Sequence, residues 1–289
     1  MKFEHTEVMN FKAAFRGMRN PKNSWKLSDS NFNDDCHSPE HQECVSCKYF
    51  DGMGNPCIPY IGPKDLALAQ ALIRAGSEHR KFMRQIFVSV DITAPLYWFK
   101  EFDTYKVGTV ANSTSTMHKI DSKPITVDCF ETDDYNMLVR LEDETPLGDC
   151  VDGLITWLEE LRQLYKKTGD KRYWKELIRW LPEGWLQTRT ITMSYENLLA
   201  MCSKGQRRFH KLTEWSVAFI SWARSLPYAQ ELIFLDELDD AKSELDKQAT
   251  KMRFFNEIKS ACESFEADSD QLYEEFERII SGYDFKEAA

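Results

Sequence analysis

The sequence predicts an α+β fold, and three observations carry that prediction. Residues 87–92 and 187–193 alternate apolar with small polar or charged side chains and are rich in β-branched residues, as half-buried strands are, and 2–8 reads as a further strand. Apolar residues recur at helical spacing in 64–75, 151–164, 171–181 and 211–226. A cysteine-rich stretch and a highly charged end depart in composition from the rest. The expected organisation is therefore an N-terminal strand, helix and polar loop (1–35), a cysteine-rich metal-binding insertion (36–60), a core domain (61–235) and a charged helical extension (236–289).

Composition narrows the function. The chain has 289 residues with 42% hydrophobic content, enough to bury a full core. A net charge of −10 and a pI near 5.2 argue against nucleic acid as a main partner, because phosphate backbones need a positive surface. One basic pocket for a single nucleotide is compatible with that balance. No apolar run reaches membrane-spanning length, and the start MKFEHTEVMN has no signal-peptide pattern. The expectation is a cytoplasmic protein without a membrane partner.

Taken in order, the strand at 2–8 gives way to a helix carrying Phe11, Ala14, Phe15 and Met18, which Asn20-Pro21 ends. Residues 23–35 are polar around one anchor, Trp25, and read as a loop or lid. Then CHSPEHQECVSCKYFDGMGNPC holds four of the eight cysteines. Cys44 and Cys47 form a Cys-x-x-Cys knuckle with Cys36 before it and Cys57 after it. In a reducing compartment such spacing favours a structural zinc on four thiolates. An iron–sulfur cluster, free thiols, or His37 or His41 in place of one cysteine are the alternatives.

The pattern KDLALAQALIRA places Leu66, Ala69, Leu72 and Ile73 on one face of a helix that Gly76 can close. A basic turn with His79, Arg80, Lys81 and Arg84 follows. The strand at 87–92 stops at Pro95, and a short aromatic helix (Tyr97, Trp98, Phe99, Phe102) begins there. Residues 106–116, small and hydroxyl-rich with no acidic side chain, suit a loop wrapped around a polar ligand. Beyond an acidic irregular stretch, one helix turns Leu154, Trp157, Leu158 and Leu161 inward and the next offers Tyr173, Trp174 and Trp180 to the core. The strand at 187–193, a helix at 194–201 and a buried helix at 211–226, stopped by Pro227, complete the core. His5, His118 and His210 read as structural groups. The tail shows apolar residues at helical spacing, from Leu238 to Ile280.

Two stretches resemble a known family. A strand, Ala94-Pro95, an aromatic helix and a polar loop follow the layout of the flavin-dependent thymidylate synthases, whose signature is Arg-His-Arg followed by Ser-x-Asn-Glu-x-Ser-x-Arg. Aligned from Ala94-Pro95, the triplet falls on Thr104, Tyr105 and Lys106, the loop serine on Thr109, the Asn-Glu pair on Ala111 and Asn112, the second serine on Thr114 and the last arginine on Thr116. The family's flavin-contacting histidine falls on Gln85 and its substrate glutamine on Glu101. Downstream, Leu181-Pro182 and QTRTITMSYENLLAM resemble the family's second conserved block, with its asparagine at Ser194 and its arginine at Glu196.

The resemblance spans about 65–235. It implies a small antiparallel sheet with covering helices and methyl transfer to deoxyuridine monophosphate. Methylenetetrahydrofolate would be the carbon donor and FAD the hydride carrier, at a site shared between subunits of a homotetramer. By the same resemblance, cofactor binding falls to Arg84, Gln85, Lys106 and Thr109. Substrate binding falls to Glu101, Asn112, Thr114, Arg179 and Arg207 or Arg208, with no catalytic residue assigned. Three readings stay open: a divergent nucleotide methyltransferase, a nucleotide-binding relative without catalysis, and a structural or assembly protein.

Overall fold

In a computed structural model, residues 1–32, 60–133, 135–264 and 269–281 are described. Two compact units divide the chain, Met1–Ile233 and Phe234–Ala289. The first is an α+β unit built on a four-stranded antiparallel sheet of order β1-β2-β4-β3, with β1 Lys2–Met9, β2 Phe87–Pro95, β3 Val110–Ser113 and β4 Leu186–Ser194. Its helices are α1 Phe11–Met18, α2 Pro63–Arg74, α3 Leu96–Phe102, α4 Thr116–Lys119, α5 Leu147–Thr168, α6 Lys171–Trp180, α7 Tyr195–Met201, α8 Lys204–Phe209, α9 Ile220–Arg224 and α10 Ala229–Leu232. The second unit contains α11 Leu235–Ser264 and α12 Ser269–Ser281. No helix among the described residues is long and apolar enough to cross a membrane.

The β2/β4 ladder is the frame. Its period of two sends Val88, Val90, Ile92 and Ala94 of β2 and Ile191 and Met193 of β4 into the core. Each such valine, isoleucine or methionine side chain contributes about 1.5–3 kcal/mol on full burial. The opposite face carries hydroxyl pairs across the ladder: Ser89 with Thr192 and Thr93 with Thr188, both at 2.7 Å, with Thr190 donating to Asp91 at 2.5 Å between them.

Aromatic rings fill the layer against the core face. Trp98 and Phe102 of α3 stack at 5.2 Å, and Trp98 lies 5.4 Å from Trp215 and 5.6 Å from Phe219. A smaller cluster (Ile120, Ile125, Leu158, Leu161, Leu177) joins α5 and α6 to the acidic stretch. There the buried Arg162 clasps Glu159 at 2.6 and 2.7 Å and donates to the Asp121 carbonyl at 2.9 Å. Near the N-terminus the buried pair Arg19–Asp65, 2.5 Å apart, is completed by Ser28 and Ser30 donating to the carboxylate. Burial pushes Asp65 up, but the Ser28, Ser30 and Arg19 hydrogen bonds outweigh it and hold the carboxyl below its ordinary range.

Four expectations change. The polar stretch is not all loop: Val110–Ser113 pairs with β4 as an exposed edge strand, because the neighbouring ladder overrides a weak intrinsic preference. Trp157 and Trp180 are 39% and 53% exposed, with their rings tilted against each other at 6.3 Å, while the smaller Leu158 and Leu177 take the interior. The inward face of α2 is Asp65, Ala69 and Ile73, rotated toward the Arg19 pair. The helix expected at 211–226 opens with a π-helical turn, Glu214–Phe219. The cysteines assigned to zinc, Cys36, Cys44, Cys47 and Cys57, lie outside the described residues. Among the described residues no group of His, Cys, Asp and Glu could hold a metal.

Candidate functional site

Chain direction assembles the site. Pro95 closes β2 and sits in extended geometry at the head of α3, which runs back across the sheet. Residues 101–109 consequently return to the end where Phe87 pairs with Ser194, before β3 starts with Val110 opposite Thr192. At that end α7 begins with a capping box: the Ser194 hydroxyl accepts from the Asn197 backbone N–H, and the Asn197 side chain accepts from Ser194 N–H. Asn197 Nδ2 also donates to the Val107 carbonyl at 2.7 Å. Gly108 lies against that asparagine with φ of 79°, a backbone conformation that favours glycine.

The basic turn joins the same end. Tyr195 N–H donates to the Ile86 carbonyl at 3.0 Å, tying α7 to the 3-10 turn Lys81–Gln85. Just before that turn, Arg80 meets Glu196 through Nε, 2.9 and 3.1 Å from the two carboxylate oxygens. A carboxylate where the resembled family has arginine thus neutralises a cation of the turn.

A polar seam runs between α3 and the chain from α8 to the π-helical turn. Tyr97 donates to Glu214. Glu101 lies 3.7 Å from His210 Nε2. Gln206 donates to the Tyr105 hydroxyl at 2.7 Å. Trp215 backs this seam, with His210 stacked on it at 5.0 Å and 10° and Tyr105 at 5.6 Å. Burial raises the Tyr105 phenol above its ordinary value, and the nearby Glu101 charge adds to the rise. On the far side of α3, Arg189 reaches Asp103 at 3.0 Å and lies 3.9 Å over the Phe99 ring.

The residues proposed from sequence separate into two groups. Arg84, Gln85, Glu101, Lys106, Thr109, Arg207 and Arg208 belong to elements bonded to one another around α7 and α8. Arg84 is exposed and donates to the Ser77 carbonyl at 3.3 Å; Gln85 is exposed and its carbonyl accepts from Asn10. Thr109 donates to the Lys106 carbonyl at 3.0 Å, and Arg207 donates to the Cys202 carbonyl at 2.5 Å. Asn112 sits midway along the sheet edge opposite Thr190. Thr114 bonds Thr188 toward the far end, and Arg179 pairs with Glu176 within α6 at 2.5 Å. Sequence reasoning missed Arg80–Glu196, the Tyr105–Gln206 bond and His210. His210 was read as a structural group. A cavity of about 610 Å³ opens elsewhere, along α5 beside Ile125, Glu159 and Lys167. It carries less convergent chemistry than the seam.

No protein-family model matches this sequence, and no curated protein matches it. Solved structures do. The chain is similar to the flavin-dependent thymidylate synthase ThyX of Helicobacter pylori, complexed with FAD and dUMP, at 14% identity and a TM-score of 0.51 over 82% of this chain and 99% of that one. The fold is that of ThyX. A second structure of the Helicobacter pylori ThyX with FAD and dUMP gives the same identity and TM-score. The UMP/dUMP methylase PolB of Streptomyces cacaoi, bound with 5-Br dUMP, matches at 12% identity and a TM-score of 0.49 over 81% of this chain and 95% of that one. On the ThyX fold, the expected antiparallel sheet with covering helices is what the chain forms.

Proposed function

We propose that this chain is a divergent flavin-dependent nucleotide methyltransferase, acting on a deoxyuridine-type monophosphate with methylenetetrahydrofolate as carbon donor, in a homo-oligomer. One observation carries the reading. Arg84, Lys106 and Arg208, on the three elements that meet around α7 and α8, are exposed and make no ion pair among the described residues. In a chain of net charge −10, exposed cations gathered at the end of a sheet fit the phosphates of a nucleotide and a flavin.

The donor set fits such a cofactor: Arg84 and Lys106 as phosphate partners, with Gln85 and Thr109 as hydrogen-bonding neighbours. Bound there, a flavin would supply the hydride that reduces the transferred carbon. The chain's own residues bind and orient. Arg208 and Arg207 serve the substrate phosphate, Glu101 its base, and Asn112 and Thr114 extend the polar edge, with Arg179 farther along. We also propose that Cys36, Cys44, Cys47 and Cys57 hold a structural zinc, on the strength of their spacing. A second reading, a nucleotide-binding or assembly relative without catalysis, is favoured by the neutralisation of Arg80 by Glu196.

Absorbance of the purified protein separates the two. A yellow preparation that releases flavin on denaturation, and that methylates dUMP when given methylenetetrahydrofolate and a reductant, supports the methyltransferase. A colourless protein that takes up no added FAD and methylates nothing removes it.

A further inference from the structure

We infer that α11 pairs with the α11 of a second copy of this chain, as an antiparallel two-stranded coiled coil whose seam runs over Leu238–Phe255. The inference concerns the second unit alone and stands apart from the nucleotide reading above.

The argument starts from exposure. Every residue of α11 from Ala241 to Arg253 is exposed, so this part of the helix packs on nothing in its own chain. Helices draw most of their stability from packing an apolar face, and this one carries such a face. Leu238, Leu245 and Met252 stand seven residues apart, and Ala241, Gln248 and Phe255 follow each of them by three. That is the a/d spacing of a coiled-coil seam, with one polar residue in it. Leu245, Met252 and Phe255 are 65%, 63% and 65% exposed, and Leu238 is 37% exposed. The half-buried residues of the same stretch, Phe254 and Ile258, project from another side of the helix, so the row faces away from whatever covers them.

Charge and size choose the occupant and its direction. Asp239, Asp240, Glu244 and Asp246 crowd the first half of α11, while Lys251, Arg253 and Lys259 mark the second. An antiparallel copy lays each half against its opposite, whereas a parallel copy sets acid on acid. With the two-fold axis between Asp246 and Lys247, Leu238 meets the partner's Phe255, Ala241 the partner's Met252 and Leu245 the partner's Gln248. Small residues then face large ones along the seam. A parallel pair would instead set Ala241 on its own copy, leaving a gap, and crowd Phe255 against its own copy. Beside the antiparallel seam the exposed Glu244 lies next to the partner's Lys251, a contact that the two-fold axis makes twice.

Amide hydrogen exchange along 240–256 and sedimentation velocity, both on the full chain, test this. Leu245→Glu combined with Met252→Glu should quicken exchange in that segment at least about tenfold and lower the particle mass. Both positions are exposed in the single chain, so the change leaves its own packing intact. Glu244→Lys alone, or Lys251→Glu alone, sets like charges together and should quicken exchange about threefold, and the two combined should restore the wild-type rate. Seven residues apart on one helix, these two side chains do not meet within a chain, so rescue reports a contact between copies running in opposite directions. Exchange and particle mass both unchanged by the Leu245 and Met252 changes would overturn the pairing. A double charge variant no slower in exchange than either single one would overturn the antiparallel seam.

Discussion

Asn197 Nδ2 donates to the carbonyl oxygen of Val107 across 90 residues of sequence, while the same side chain's Oδ1 accepts from the backbone and hydroxyl of Ser194. One amide therefore both starts α7 and pins the turn that positions Lys106 and Thr109. Asn197→Ala should lower stability by about 1–2 kcal/mol, the cost of a lost cap, seen as a lower urea midpoint. Asn197→Asp keeps the acceptor but sets an oxygen against the Val107 carbonyl. Amide exchange at 107–109 should then quicken while the α7 amides stay protected; equal exchange in both segments would count against the tie.

Glu159 gives a pH prediction. The Arg162 hydrogen bond, aided by the Ile125 N–H, lowers its carboxyl from 4.5 to about 2. A depressed folded value means the contribution is complete above the unfolded value and disappears as pH falls from about 4.5 toward 2. With the carboxylate 26% exposed, the loss is on the order of 1–2 kcal/mol. The urea-midpoint difference between wild type and Glu159→Gln should be flat near neutrality and shrink through that window. A difference constant down to pH 2 would sink the assignment.

Phosphate binding should depend on the exposed cations Lys106 and Arg208. Lys106→Ala and Arg208→Ala are each expected to weaken dUMP binding by about 1.5–3 kcal/mol, measured by calorimetry with FAD present. Arg207 clasps the Cys202 carbonyl at 2.5 Å, so Arg207→Ala should show first as a lower melting temperature. Unchanged affinity in both Lys106→Ala and Arg208→Ala removes the phosphate assignment.

Elemental analysis of the purified chain should return about one zinc per molecule, and Cys44→Ser with Cys47→Ser should abolish it. Less than a tenth of that, with four titratable thiols in the folded protein, refutes the site.

How much of this was legible in the sequence depends on the range of the interaction. The strict alternation of Val88, Val90 and Ile92 announces β2, and the Ser194–Asn197 spacing announces the start of α7, because both signals are local. Val110–Ser113 has no comparable alternation and becomes a strand only because β4 lies alongside it. Trp157 and Trp180 mislead for a related reason: helical periodicity identifies a face, while the neighbouring helix decides which large side chain fits behind it. The seam was hidden most completely. Its pairs, Tyr97–Glu214 and Tyr105–Gln206, join residues 117 and 101 positions apart, and no local pattern encodes such partners.

The β2/β4 ladder has a consequence for how the molecule is made. Ser89 and Thr192 face each other from positions 103 residues apart, so the central pairing closes a very long loop before it gains any contact energy. Non-local antiparallel pairing of this kind places folding at the slow end, in milliseconds to seconds. On the ribosome, at roughly 5–20 residues per second, β2 waits on the order of 5–20 s for its partner. Through that interval the apolar row of Val88, Val90, Ile92 and Ala94 has β1 as its one strand neighbour. The window for misassociation during synthesis is thus set by the length of chain between the two strands.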